Sequence, residues 1–521
     1  MPINQETRPA TPLLAPVQSA APTPVTESTQ WWQDAVFYEI FVRSFYDTDT
    51  DGIGDLNGIT QKLGYLENLG INAIWLMPIH PSPSYHGYDV TNYYNVNPDY
   101  GTMDDFKVLL EEAHQRDMRI IMDLVLNHTS INHPWAQSAN ESASSDYRNW
   151  YIWSDTSRGS NWHEGKHGYY YGLFCPCMPD LNYNNPEVTE QMRDVTRFWL
   201  EDVGVDGFRL DAAKHLIEDG EVVENTPATH TWLKGFYESY KSQNPQAYSV
   251  GEVFGAGALL TKIYSNEELD QIFSFEMASG FVNSANGGSN SGINSAIKFS
   301  LMDAPDFNFA TFLTNHDQNR VMSVMNGKAD KAKLAAFLLL TSPGTPFIYY
   351  GEEIGMEGRK PDEDIRLPMQ WSAEPNAGFS TDIPWREPNA NYAEVNVVTQ
   401  EKSAGSLLNY YQTLLQLRGE HSALKSNLIY LLNTDNTGVY ASLRVSKSET
   451  LLVVANLTDT PTSDYALTLE DAILMDGTYR SSTIFGGEQA TGLQVTRGVF
   501  QNYKPVTELS PYSTLIVQFQ P

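Results

Sequence analysis

The chain has 521 residues, with 33 Lys and Arg against 64 Asp and Glu, and a formal net charge of −31. That acidity excludes a nucleic-acid partner, which needs clustered cations, and fits a soluble protein acting on a neutral or cationic ligand. With 41% hydrophobic and 12% aromatic residues wholesale disorder is excluded, and the length suits one large barrel with additions or two to four domains.

Residues 1–30 carry Pro2, Pro9, Pro12, Pro16, Pro22 and Pro24 among Ala, Thr, Ser and Gln, the composition of a disordered linker. They hold neither the basic start nor the continuous apolar run of a secretory signal. A linker with nothing before it suggests that an export or lipid-anchor segment was removed and Met1 substituted. An extracellular or cell-surface location is therefore expected, with the periplasm as the alternative.

From Trp31 short apolar runs alternate with helical patterns. Strands are predicted at Val36–Phe45, Asn72–Pro78 and Arg119–His128, separated by helices at Ile59–Gly70 and Asp104–Met118. The alternation resumes with VTEQMRDVTRFWLEDVG, VDGFRLDAAKH, a helix around Thr231–Ser242 and AYSVGEVF; further strands read at QIFSFE, ATFLTNHD and TPFIYYG. Eight short buried strands separated by helices predict an α/β fold, a parallel (β/α)8 TIM barrel over 31–127 and 186–424. The stretch 128–185, which follows the third strand, is too long and irregular for an ordinary loop and reads as an inserted domain on the catalytic face. After a helix at Gly405–Leu424 the pattern alternates, predicting a small antiparallel β domain over 425–521. No apolar run approaches the ~20 residues that span a bilayer. The two cysteines sit in Cys175-Pro176-Cys177; a disulfide across one residue would be strained, so two thiols are expected.

Chemistry-bearing residues gather at the C-terminal ends of the strands, where barrel enzymes build their sites. Asp123 ends the third strand, Arg209 and Asp211 the fourth, Glu252 the fifth, and His316 and Asp317 the seventh, with His128 nearby. A single strand-end acid is commonly a helix N-cap; Asp211, Glu252 and Asp317 on one mouth with an Arg and two His are not a core arrangement. Glycosidic cleavage needs one acid and one carboxylate nucleophile or base. Arg209 and Asp211 share a strand face, so the guanidinium should hold that Asp ionised at a lowered pKa. Glu252, crowded by carboxylates, can stay protonated and serve as the acid.

A second cluster is Asp47, Asp49, Asp51 and Asp55, at positions 1, 3, 5 and 9 of a loop with Gly52 at position 6. Oxygen ligands so spaced wrap a hard cation, and Ca2+ bound by the four Asp and the Ile53 carbonyl is the expected cofactor. Position 12 is Gly58 rather than a bidentate Glu, so this is not an EF-hand. An acidic solvated turn is the alternative.

DLVLNH, GFRLDAAKH, GEVF and LTNHD, together with MPDLN, GINAIWLMP and GTPFIYYGEEIGM, occur in that family's arrangement in a sequence that resembles glycoside hydrolase family 13, the α-amylase family, from Trp31 to the C-terminus. The resemblance implies a barrel with domain B inserted after strand three and a C-terminal β-sandwich. It makes Asp211 the nucleophile, Glu252 the general acid/base and Asp317 the transition-state stabiliser. Arg209, His128 and His316 would complete the subsite of the cleaved glucose, and Tyr88 would stack beneath it. Ala212, Lys214 and His215 resemble α-amylases acting on α-1,4 bonds, with Lys214 and His215 on the leaving-group side. Asp89 and Arg320 resemble a pair that closes the pocket in exo-acting α-glucosidases; a purely structural ion pair is the other reading. The mosaic looks like the group between oligo-1,6-glucosidases and neopullulanases. The activity implied is retaining hydrolysis of α-1,4 bonds in starch, maltodextrins and related α-glucans. Alternatives are an exo-acting α-glucosidase or oligo-1,6-glucosidase, a neopullulanase-like enzyme, a 4-α-glucanotransferase or, remotely, a non-catalytic sugar-binding relative. A monomer is expected. A second calcium, common in α-amylases, would use Asn127 and the His215 carbonyl, with no evident acid from the insertion. Among Trp150, Tyr151, Trp153, Trp162, Tyr169, Tyr170 and Tyr171, two are expected to stack on sugars.

Overall fold

A computed structural model describes residues 30–255, 257–265, 267–303 and 308–521. The predicted linker over 1–30 lies outside the described residues, Gln30 excepted.

Eight parallel strands form the central sheet: β1 Phe37–Ile40, β2 Ala73–Leu76, β3 Arg119–Leu124, β4 Gly207–Leu210, β5 Tyr248–Gly251, β6 Gln271–Ile272, β7 Ala310–Thr311 and β8 Thr345–Tyr349. They pair in chain order, β8 pairs back onto β1 through Phe37 and Phe347, and a parallel bridge between Phe273 and Ala310 joins β6 to β7. The sheet is therefore a closed barrel. The near-absence of polar–apolar alternation in β1, β2 and β8 follows from burial on both faces. Inside, Phe37, Trp75, Ile121, Tyr248, Val250, Phe273 and Phe347 pack into one cluster, plugged at the N-terminal end by Trp32.

The outer helices obey their sequence signals. Helix Leu56–Leu69 begins where the Asp55 carboxylate accepts the Gly58 N–H, and it ends at Gly70 with φ 99°, a left-handed cap that favours glycine. Its buried residues Leu56, Ile59, Leu63 and Leu66 recur at helical spacing. Helix Met103–His114 starts on a capping box between Thr102 and Asp105.

Several predicted strands are shorter in the structure, among them Val36–Phe45, which is a strand only over Phe37–Ile40 and then turns into a short helix at Val42–Ser44. QIFSFE contributes two strand residues, because Ser274 accepts the Met277 N–H and starts a helix over Phe275–Gly287. ATFLTNHD likewise gives only Ala310–Thr311; beyond it Asn315 accepts the Asp317 N–H in a side-chain turn. His316 and Asp317 thus stand on a loop beyond β7. Arg119–His128 is a strand only to Leu124.

The insertion after β3 holds a short helix, Pro134–Glu141, and a three-stranded antiparallel sheet from Trp153–Ser154, Gly168–Tyr171 and Trp162–Gly165. A bridge from His128, at the barrel mouth, to Asp180 anchors its end, and one from Tyr151 to Leu181 closes it on itself. Cys175 and Cys177 form a disulfide, correcting the expectation of two thiols: their Cα atoms lie 5.2 Å apart, inside the range a disulfide spans. The C-terminal domain is a six-stranded antiparallel sheet with a separate two-stranded ladder, Leu467–Leu469 with Phe500–Tyr503. Leu443, Leu452, Val454 and Val517 of the sheet pack on Leu467 and Phe500 of the ladder. Its other face, with Tyr440, Leu451 and Val453, joins the barrel's outer core. No helix among the described residues is long and apolar enough to cross a membrane.

Candidate active site

Arg209 organises the mouth of the barrel. It lies in β4, is 1% exposed, and points both amino groups at carboxylates: Nη1 donates to Asp211 Oδ1 at 2.7 Å and to Asp123 at 3.0 Å, and Nη2 donates to Glu252 Oε2 at 2.7 Å. Asp211 follows β4 and Glu252 follows β5, so neighbouring parallel strands deliver the two acids to one guanidinium fork. Ala212 adopts a left-handed conformation, φ 47° and ψ 35°, and its N–H lies 3.3 Å from Glu252 Oε2. A side chain in that region costs about 1–3 kcal/mol, strain of the kind stored at functional sites.

Burial opposes the Arg209 charge, but Asp123, Tyr88, Glu252 and Asp211 outweigh it and hold the guanidinium firmly protonated. The carboxylates share this single cation. Burial raises Asp123 to about 7 despite Arg209. Burial, aided by the Asp317 charge, also raises Asp211 above its ordinary value. This corrects the expectation of a lowered Asp211, since one guanidinium divided among three acids cannot offset their desolvation. Glu252 is raised as well, by burial first and then by Asp211 and Asp317, the direction that keeps an acid protonated.

Asp317 has a different setting. Its carboxylate lies 2.8 Å from Arg366 Nη2 and 3.2 Å from His316 Nε2, and its side chain is 43% exposed. Burial works to raise it, yet His316, Arg366 and Arg209 prevail and hold it well below the usual carboxylate range. His316 is fully buried, stacks beside Tyr88, and contacts the Tyr88 hydroxyl through Nε2 at 2.7 Å. The Tyr88 hydroxyl also lies 3.2 Å from Asp123 Oδ2. His128, also buried, is lowered to about 4 by burial and is neutral; its Nε2 has no hydrogen-bond partner among the described residues.

These groups line a cavity of about 250 Å³ bounded by Tyr88, His128, Asp211, Glu252, Asp317 and Arg366. Phe174 and Met178, which flank the disulfide, form its lip. Sequence reasoning missed Phe174, Met178 and Arg366: none stands at a strand end, and only Met178 fell inside a quoted motif. None of the seven aromatics considered in the insertion lines this cavity. Trp153 and Trp162 instead carry the Arg148 and Arg158 guanidinia on their rings, and with Tyr171 and Glu218 they border a separate hollow of about 500 Å³.

Other expected residues are placed differently. Lys214 donates to the Phe254 carbonyl at 2.9 Å and pairs with Glu224, and His215 Nδ1 meets the Val223 carbonyl at 2.8 Å. Asp89 and Arg320 do not pair. Asp89 accepts from Ser82 at 2.6 Å and from Ser84, while Arg320 is buried, donates to the Tyr350 and Ile365 carbonyls and lies over the Tyr349 and Tyr350 rings. Neither borders the cavity. Each charge takes local hydroxyl or carbonyl partners instead, although Arg320 Nη2 has none among the described residues, and this corrects both the pocket-closing and the ion-pair readings.

In the acidic loop, Asp47, Asp49 and Asp55 each bring a ligand oxygen within 4.8 Å of one another. Asp51 is outside that group: its Oδ1 accepts the Ile53 N–H at 2.8 Å. Burial and the charges of Asp51, Asp55 and Asp47 raise Asp49, the electrostatic condition a divalent cation relieves. Near the insertion, Asp180 is 1% exposed with Oδ2 unpartnered among the described residues, beside Glu218, which burial raises to about 7.

The chain was compared with known proteins. A family model, the α-amylase catalytic domain, matches residues 39–427. Alpha-amylase 3 of Dictyoglomus thermophilum is 44% identical over 436 residues, covering 82% of this chain and 85% of that protein. The trehalose synthase/amylase TreS of Mycolicibacterium smegmatis is 35% identical, covering 83% of this chain and 85% of its own length. The crystal structure of the α-amylase from H. orenii superposes with a TM-score of 0.82 at 38% identity, covering 93% of this chain and 99% of that one. With the barrel, its insertion and the carboxylate-lined mouth in place, the chain belongs to glycoside hydrolase family 13, the α-amylase family, and is a glycosidase of that family.

Proposed function

We propose that the protein is a retaining hydrolase of α-1,4-glucosidic bonds in α-glucans, acting within the chain. The observation that carries the reading is the pair of acids, Asp211 and Glu252, each 2.7 Å from the same guanidinium. Glu252 protonates the departing glycosidic oxygen while Asp211 attacks the anomeric carbon, forming a glycosyl ester. The Glu252 carboxylate then takes a proton from water, which opens the ester and releases the sugar with its configuration retained. Asp317, held ionised, and His128, neutral with a free ring nitrogen, bind sugar hydroxyls of the oxocarbenium-like transition state.

Identity of 44% and 38% with two α-amylases supports the α-1,4 bond, as do Ala212, Lys214 and His215. Internal action is favoured because Asp89 and Arg320 do not close the cavity. A product time course on starch, pullulan and a blocked maltoheptaoside tests this. The blocked substrate should be cut without a helper glucosidase; release of glucose from unblocked ends alone would instead mark an exo-acting enzyme.

The acidic loop is assigned to Ca2+, with Asp47, Asp49 and Asp55 as ligands. A second Ca2+ is assigned to Asn127, the His215 carbonyl and Asp180, the acid missing from the sequence reading. The substitution Asp47→Ala with Asp49→Ala should lower calcium content by one ion per chain after EDTA treatment and reloading. Unchanged content by metal analysis would remove the loop assignment. Asp55 is spared because it also caps a helix.

A further inference from the structure

Glu39 sits in the middle of β1, between Tyr38 and Ile40, and is 2% exposed. An apolar residue would serve that barrel position better unless the carboxylate has a task. Its Oε1 lies 2.5 Å from His316 Nδ1. On the far side of the ring, Nε2 lies 3.2 Å from the Asp317 carboxylate and 2.7 Å from the Tyr88 hydroxyl. The imidazole is thus clamped between two carboxylates, one on each nitrogen. A neutral ring carries one proton and would turn a lone pair toward one of them; only the doubly protonated ring presents an N–H to both. Trp75 packs against the ring edge and Tyr88 along its face, so the ring is held in place.

We propose that Glu39 is a positioning residue for the glycosidase reaction: by accepting the Nδ1 proton it keeps His316 an imidazolium whose Nε2–H is aimed at Asp317 and Tyr88. This rests on the role assigned above to Asp317. The charged and titratable groups facing the ring are Glu39 on β1, Tyr88 after β2, Asp123 on β3, Arg209 and Asp211 at the end of β4, Glu252 after β5, Asp317 beside it, and Arg366, whose Nε donates to the His316 carbonyl at 2.9 Å. Burial opposes the cation, whereas Asp317 and Glu39 favour it and prevail, raising His316 to about 9. A raised value means that the charge is complete at neutral pH and is lost as pH rises through about 9. Through Asp317 and Tyr88 the imidazolium reaches two groups that border the sugar cavity.

The test is a ¹⁵N titration of the histidine rings in the full-length enzyme, with His316→Gln identifying the resonance. His316 should remain doubly protonated at pH 8 in the wild type, and in Glu39→Gln should lose its proton at least about one pH unit lower. In that variant kcat should fall about 10-fold or more with little change in KM. A titration superimposable on the wild type, or one that moves without changing kcat, would overturn the proposal. Should Glu39→Gln fail to fold, Glu39→Asp, which keeps the charge but withdraws it, should shift the midpoint by a smaller amount; no shift overturns the proposal equally. Because the ring titration needs no turnover, it stands or falls separately from the identity of the nucleophile.

Discussion

Replacing Asp211 with Asn should lower kcat on α-glucans by on the order of 10⁴-fold or more, because the amide cannot form the glycosyl ester. The fold should survive: Asn has the same shape, and Asp123 and Glu252 remain to balance Arg209. Near-wild-type turnover would overturn the assignment. Glu252→Gln should lose about 10²–10⁴-fold on the same substrate, and less on one whose leaving group needs no proton. The pH profile follows from the same groups. Asp211 must be ionised, and burial has raised it, so the acid limb should lie above the ordinary Asp range near 4. Glu252 must be protonated, and its upward shift extends activity toward neutral pH.

Arg209→Met should be the most damaging single change to stability. It leaves Asp123, Asp211 and Glu252 buried around an apolar side chain. Uncompensated buried charge costs about 3–5 kcal/mol. The sign with pH is specific. Without the guanidinium, the folded carboxylates take up protons at higher pH than the unfolded ones, so the variant binds more protons when folded and loses stability as pH rises. Urea unfolding should therefore show a deficit that is largest near pH 8 and shrinks toward pH 5. A deficit independent of pH would contradict the shared-cation arrangement.

The acids at the barrel mouth and the barrel itself were legible because both depend on local order. A buried parallel strand is a short apolar run, and an acid immediately after it falls on the C-terminal rim; Asp211 and Glu252 follow that rule directly. His316 and Asp317 follow it only loosely, since the strand ends at Thr311 and they stand on the loop beyond, where Asn315 makes a turn. Pairings distant in sequence were the ones misread. Asp89 and Arg320 carry opposite charges, but Asp89 turns to serine hydroxyls and Arg320 to backbone carbonyls. Arg366 finds Asp317 across 49 residues, and Glu39 finds His316 across 277. No periodicity encodes such contacts; barrel closure makes them. The Asp211 shift was misjudged in sign for a related reason: Arg209 two residues away was visible, whereas its division between Asp123 and Glu252 was not. Asp51 matched the spacing of a cation loop but lies outside the cluster formed by Asp47, Asp49 and Asp55.

The central claim is that Asp211 becomes covalently bound to the sugar, and the most direct measurement is peptide mapping of the enzyme trapped with a fluorinated α-glucosyl fluoride that forms the ester quickly and releases it slowly. The added mass of one fluorinated sugar should appear on the peptide containing Asp211, and on no other. An adduct on Glu252 or Asp317, or an enzyme that turns the reagent over to the inverted anomer without any adduct, would contradict the mechanism.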